Sequence, residues 1–165
     1  MFETVYIGLG SNIDSPREQL ERAFSEITAL PQTELIARSA CYRTPAWGIT
    51  DQPDFINAVV KIKTMLAAPV LLDALLAIEQ AHQRVRTLRN GPRSLDCDIL
   101  LYGTHQINTQ SLTIPHPGLT SRAFVLAPLT ELEPDLILPE GQAIKDLLSH
   151  CDCTGIQKYH EETAL

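Results

Sequence analysis

Two β-rich segments that follow each other without an intervening helix constrain the fold more than any other feature of this chain. Residues 34–42 alternate Leu35, Ala37, Ser39 and Cys41 against Ile36, Arg38, Ala40 and Tyr42. Residues 55–64 form a longer run rich in valine and isoleucine, with Lys61 and Lys63 on one face. The stretch between them, residues 43–54, holds Pro45, Gly48 and Pro53 and reads as a loop. Strands joined this way pair antiparallel, which argues against a doubly wound parallel sheet.

The flanks complete a pattern. Residues 4–8 read as a short β-branched strand, followed by a Gly-rich turn at Gly8-Leu9-Gly10-Ser11-Asn12. Ser15, Pro16 and Glu18 match a helix N-cap, N1 and N3, and Leu20, Ala23, Phe24, Ile27 and Leu30 recur at helical spacing up to Pro31. A second helix opens at Ala67-Ala68-Pro69 and continues through Leu71, Leu72, Leu75, Leu76 and Ile78 to about Arg84. An apolar strand runs through Ile99-Leu100-Leu101-Tyr102, with a short strand near Gln106 and Ile107 beyond it. Short helices are expected over 123–130 and 143–150, a Pro-bounded apolar segment over 136–138, and a last strand over 156–159. The order β-α-β-β-α-β predicts an α+β fold: a ferredoxin-like sheet with helices packed on it and C-terminal additions. Residues 1–165 are expected to form a single domain, since no repeat, linker or low-complexity tract divides them.

Composition narrows the partners. A hydrophobic content of 44% with 20% charged residues describes an ordinary globular chain. The formal net charge of −7 argues against a general nucleic-acid or membrane-surface binder. No apolar run approaches the roughly 20 residues that span a bilayer, and Met-Phe-Glu-Thr does not begin a signal peptide. The cytoplasm and a monomeric state are the expectation. Cys41 and Cys97 fall in predicted strands as small buried hydrophobes, and the spacing of His150-Cys151-Asp152-Cys153 matches no standard zinc motif.

Chemistry concentrates in residues 90–101. Asp96 and Asp98 sit at the mouth of a strand, two positions apart, so both point to one face with Cα atoms roughly 6–7 Å apart. Carboxylates so arranged can hold hard cations such as Mg²⁺. Cys97 should face the opposite side. Arg84, Arg86, Arg89 and Arg93 lie just upstream, with no acidic residue between Gln80 and Leu95. Acids that bind cations beside a basic segment suggest a polyphosphate site, although a solvated pair of edge-strand aspartates would carry the same sequence. Gly8-Leu9-Gly10-Ser11-Asn12 lacks the third glycine of a dinucleotide fingerprint and the Gly-Lys-Ser/Thr of a P-loop, and reads as a structural turn.

The joint pattern is more specific. Gly10-Ser11-Asn12, Tyr42-Arg43-Thr44-Pro45, Asp51-Gln52-Pro53-Asp54-Phe55-Ile56-Asn57-Ala58, Arg84-Val85-Arg86, residues 90–101, Ile114-Pro115-His116 and Arg122-Ala123-Phe124-Val125 occur in that order. Together they resemble the 6-hydroxymethyl-7,8-dihydropterin pyrophosphokinases of folate biosynthesis, over residues 4–160. Gly-Pro-Arg-x-Leu-Asp-x-Asp-Ile-Leu is a signature of that family.

The resemblance implies transfer of the β,γ-pyrophosphoryl group of ATP to the 6-hydroxymethyl oxygen of a reduced pterin, with AMP released. It implies two Mg²⁺ ions held by Asp96 and Asp98, and catalysis by positioning and electrostatics without a protein nucleophile. Arg84 and Arg93 match arginines that close over the phosphates, and Arg86 a peripheral neighbour. His116 and Arg122 match ATP-phosphate contacts, Glu79 a residue on the nucleotide side, and Thr113 and Ile99 the border of adenine and ribose. Phe55 and Phe124 match the aromatic pair that sandwiches the pterin, and Asn57 the amide that reads its polar edge. Asp96 borders the pterin as well, and Thr44, Ala46 and Trp47 occupy the loop that completes its recognition. Ile99, Phe55 and Phe124 would also suit a plain core, whereas an amide such as Asn57 inside an apolar strand needs partners.

Some positions depart from the pattern. The basic stretch 87–90 is one residue shorter, Asn90 stands where a tryptophan is often found, Leu76 replaces a glutamine, and Pro117 a tyrosine. Trp47 is the expected substitute for the missing aromatic. Two other classes remain in view. A nucleotidyltransferase also combines Gly-Ser with Asp-x-Asp, about a dozen residues apart, and would release pyrophosphate; a non-catalytic ligand-binding module would bind ATP without turnover.

Overall fold

A computed structural model describes residues 2–12, 16–44, 54–83 and 95–158. Its central strands are β1 (Glu3–Ser11), β4 (Phe55–Thr64) and β5 (Asp96–Tyr102), with β2 (Thr33–Arg38) and β3 (Tyr42–Thr44) between α1 (Pro16–Thr28) and β4. Helix α2 (Ala68–Gln83) precedes β5. Beyond β5 come β6 (Ile107–Asn108), β7 (Thr113–Ile114), α3 (Ala123–Leu132), α4 (Ile144–Ser149) and β8 (Gln157–Lys158). The fold is mixed α and β, and every strand pairing in the main sheet is antiparallel.

The sheet runs β5-β1-β4, and β2 and β3 share the far edge of β4, one toward each end, with β8 added outside β3. Alternation gives the sheet two apolar faces. Val5, Ile7 and Leu9 of β1 and Ile56, Ala58, Val60 and Ile62 of β4 pack with Leu20, Phe24 and Ile27 of α1 and Leu71 and Leu75 of α2. On the other face Tyr6, Val59, Leu100 and Leu101 meet Leu126 and Leu129 of α3 and Ile144 of α4. Truncating one of the fully buried leucines, such as Leu75, removes roughly 2–5 kcal/mol.

Four departures from the local sequence pattern matter for function. Strand β1 does not end at Gly8; it continues to Ser11 because β5 supplies ladder partners as far as Gly10 and β4 as far as Ser11. The expected single strand over 34–42 is two strands. Between them the Ser39 hydroxyl accepts the Val59 N–H (2.9 Å), while the Ser39 N–H donates to the Val59 carbonyl (2.9 Å), and the chain resumes pairing at Tyr42. A β-bulge in β5 changes the register from Ile7 opposite Ile99 to Tyr6 opposite Leu101, so Leu100 and Leu101 both turn to the α3 face. The last strand, β8, is two residues long.

At the end of α2, His82 is 1% exposed and is clasped by α1: its ring nitrogens meet Gln19 and Glu26, the latter at 2.5 Å. Among the described residues no disulfide joins Cys41, Cys97, Cys151 or Cys153. Among the described residues no three His, Cys, Asp or Glu side chains gather into a metal-holding group, and no helix is long and apolar enough to cross a membrane.

Candidate active site

The site forms where β1 ends and β4 and β5 begin, on the face away from α1 and α2. Its floor is set by strand register. Gly10 lies opposite Asn57 of β4 on one side and Asp96 of β5 on the other; one step back, Gly8 lies between Val59 and Asp98. The two glycines leave a trough between the amide row and the carboxylate row. A β-carbon built on Gly10 would stand 2.7 Å from Asn57 Oδ1, so the absence of a side chain there is a matter of space. The resulting cavity measures about 280 Å³.

One wall suits a flat polar ring. Phe55, at the start of β4, and Phe124, in the first turn of α3, both line the cavity. Asn57 is buried, and its Nδ2 donates to Thr44 Oγ1 at 3.0 Å, which fixes the amide plane with Oδ1 over Gly10. Aromatic faces beside an oriented amide edge are the complement of a heteroaromatic ring with its own donors and acceptors.

The other wall suits anions and cations. Asp96 and Asp98 line the cavity while Cys97 between them is buried in the core beneath α2, as strand alternation requires. From that core side Glu79 accepts the Cys97 N–H at 2.6 Å, gripping the backbone between the two aspartates. Burial, and then the negative charge of Glu79, Asp98 and Asp96, push the Cys97 thiol well above its ordinary pKa, so it stays protonated. The bulge carbonyl of Leu100 accepts the His116 N–H at 3.0 Å and ties the His116 loop to β5. His116 Nδ1 accepts the Gly118 N–H (3.0 Å), so a neutral ring carries its proton on Nε2, 3.9 Å from Asp98 Oδ1. Arg122 folds across Gly118, where an added β-carbon would lie 2.5 Å from Arg122 Nε, and its guanidinium carbon sits 5.9 Å from the centre of the Phe124 ring.

The cavity thus gathers Thr44, Phe55, Asn57, Asp96, Asp98, His116, Arg122 and Phe124. Three other expected site residues are not on its wall. Ile99 is 3% exposed in the core under the helices, because it shares the face of Cys97, so its side chain does not border the cavity. Thr113 lies in β7, and Glu79 acts from behind β5. Arg84, Arg86, Arg93, Ala46 and Trp47 lie outside the described residues. Sequence reasoning missed Gly8 and Gly10 as the floor. The signal was present, since Val5, Ile7 and Leu9 set a period of two that puts Tyr6, Gly8 and Gly10 on the opposite face.

The donor set fits Mg²⁺ better than zinc or copper. Two carboxylates on one strand, with the Asp98 side chain 51% exposed, offer hard oxygens and room for further ligands. Mg²⁺ commonly takes one or two protein carboxylates and completes its shell with water and substrate phosphates.

A family model described as 7,8-dihydro-6-hydroxymethylpterin-pyrophosphokinase (HPPK) matches residues 6–134. The chain is 47% identical over 158 residues to the 2-amino-4-hydroxy-6-hydroxymethyldihydropteridine pyrophosphokinase of Pseudomonas aeruginosa, covering 96% of this chain and 98% of that one. It is 48% identical over 145 residues to the enzyme of the same name from Haemophilus influenzae, covering 88% and 91%. In three dimensions it is similar to a wild-type Plasmodium falciparum HPPK-DHPS crystallised with pteroate, with a TM-score of 0.70 over 90% of this chain and 42% of that one. At 14% identity that likeness speaks to fold alone.

Proposed function

This chain belongs to the 7,8-dihydro-6-hydroxymethylpterin-pyrophosphokinase family and is an ATP-dependent diphosphokinase of folate biosynthesis, and we propose that its cavity works as two half-sites joined at Asp96 and Asp98. Phe55 and Phe124 hold the reduced pterin between their rings, and Asn57, oriented by Thr44, reads its polar edge. His116 and Arg122 receive the ATP phosphates, together with Arg84, Arg86 and Arg93. Ala46 and Trp47 belong to the pterin side, and Thr113, Glu79 and the backbone at Ile99 to the nucleotide side.

The hydroxymethyl oxygen attacks the β-phosphorus of ATP and gives up its proton to solvent water as the new P–O bond forms. The bond from the β-phosphorus to the α,β-bridging oxygen breaks, and that oxygen leaves with AMP. This displacement needs no protein nucleophile, so the protein contributes alignment and charge. Two Mg²⁺ ions, held by Asp96 and Asp98, would supply the neutralisation of the triphosphate and of the attacking oxygen. His116 offers its Nε2 proton toward the phosphates, and Glu79 keeps the strand between the aspartates in place. We read the strand order β5-β1-β4 with β2 and β3 outside as the ferredoxin-like plan.

One observation carries this reading: Gly10 sets Asn57 and Asp96 on either side of one trough. Acceptor ring and donor phosphate then meet with no side chain between them. The test is substitution of each carboxylate. Asp96→Ala or Asp98→Ala should abolish turnover with the fold retained by circular dichroism. Near-normal kcat in either variant at saturating Mg²⁺ would remove the carboxylates from the mechanism.

A further inference from the structure

Glu131 sits in the last turns of α3, at the opposite end of the helix from Arg122 and Phe124. Its two carboxylate oxygens take separate donors from one short segment: Oε1 accepts the Tyr42 hydroxyl at 2.6 Å, and Oε2 accepts the Ala40 N–H at 3.0 Å. That segment is the interruption between β2 and β3, where the chain leaves the ladder of β4 and rejoins it. Tyr42 is buried, and its hydroxyl finds a charged acceptor in Glu131.

The bracket is not what keeps α3 on the sheet. Leu126 and Leu129 are fully buried against the α3-side core, and next to the helix end Glu133 pairs with Lys61 of β4. Strand β3 is the weaker partner. It has three residues, and its outer edge is covered by the two residues of β8. Yet it carries Thr44, the hydroxyl that orients Asn57.

We propose that Glu131 is a positioning residue for the acceptor substrate. Through its bracket on Ala40 and Tyr42 it sets β3 against α3, and so fixes Thr44 and Asn57 relative to Phe124 across the ring slot. This inference rests on the pterin half-site proposed above. Without the bracket β3 shifts on β4, the Thr44–Asn57 bond lengthens, and the ring loses its oriented amide edge. The phosphate side, held by the Leu100–His116 bond and by Arg122 over Gly118, does not depend on Glu131.

Steady-state kinetics of the wild type, Glu131→Ala, Glu131→Gln and Tyr42→Phe test this, with the pterin and ATP varied separately. Glu131 acts on the ring slot through β3, so only part of the worth of a charged hydrogen bond reaches the pterin, a change of about five- to tenfold. Glu131→Ala should raise the pterin KM by that factor with the ATP KM within twofold of wild type. Glu131→Gln, which keeps an acceptor and a polar partner, should restore the pterin KM to within about twofold. Tyr42→Phe keeps the buried ring and reads the hydroxyl alone, with the pterin KM raised about threefold, even if Glu131→Ala folds poorly. An unchanged pterin KM in both Glu131→Ala and Tyr42→Phe overturns the inference, as does an equal rise in both KM values. Wild-type turnover in the same assay reports on the half-site reading itself: no AMP from the wild type would sink that reading, whereas normal wild-type turnover with unshifted variants sinks the role of Glu131 alone.

Discussion

Gly10 owes its identity to Asn57: a β-carbon at position 10 would lie 2.7 Å from Asn57 Oδ1, inside van der Waals contact. Neither residue is in a turn; they face each other across β1 and β4. Gly10→Ala should therefore push the amide off its bond to Thr44 and raise the pterin KM about tenfold, a shift of about 1.4 kcal/mol. The backbone at Gly10 does not have positive φ, so the variant should fold. Calorimetric titration of the pterin into the variant with a bound ATP analogue checks this, and wild-type affinity would contradict it.

Gly118 is the counterpart on the proposed phosphate side. An added methyl there would meet Arg122 at 2.5 to 2.9 Å along its guanidinium stem. Gly118→Ala should displace Arg122 and raise the ATP KM about three- to tenfold, leaving the pterin KM within twofold. The two glycine variants thus move opposite Michaelis constants. Equal effects of Gly118→Ala on both substrates would mean the two walls are not independent.

Most of this arrangement was legible, and its gaps have physical causes. The helices announce themselves through apolar spacing, and Asp96 and Asp98 share a face because strand alternation is local. Gly8 and Gly10 read locally as a turn because Gly-x-Gly-Ser-Asn is also turn chemistry; partners dozens of residues away keep them in the strand. The break at residues 39–41 depends on Val59, the bulge at Leu100 on pairing with β1, and the Tyr42–Glu131 bond spans 89 positions. None of these is a local signal. Ile99 went to the core for a reason visible in the sequence: it alternates with Asp98.

Glu79 reaches the backbone between the aspartates, which argues for a structural contribution in addition to any on the nucleotide side. Glu79→Ala should leave the buried Cys97 N–H without this acceptor and cost about 1–3 kcal/mol in urea unfolding. Glu79→Gln, which retains a carbonyl oxygen, should recover most of that loss. If Glu79→Ala unfolds at the wild-type urea midpoint, the bond to Cys97 does not support the strand.

Burial first, then the hydrogen bond and charge of Glu131, raise the Tyr42 hydroxyl above the usual tyrosine range; burial and then Glu133 do the same to Tyr6. A folded-state pKa above the unfolded value contributes stability fully present below the unfolded value, near pH 10, and lost as pH rises through the folded one. The urea midpoint should therefore fall from about pH 9.5 to about pH 11. The fall should be shallower in Tyr42→Phe. Parallel slopes for wild type and Tyr42→Phe would show that Tyr42 does not carry the effect.

The most direct test of the whole account is a mass spectrum of the products formed from ATP, Mg²⁺ and 6-hydroxymethyl-7,8-dihydropterin. AMP and a diphosphorylated pterin in equal amounts are the predicted result. Release of pyrophosphate, formation of ADP with a monophosphorylated pterin, or ATP left intact would contradict it.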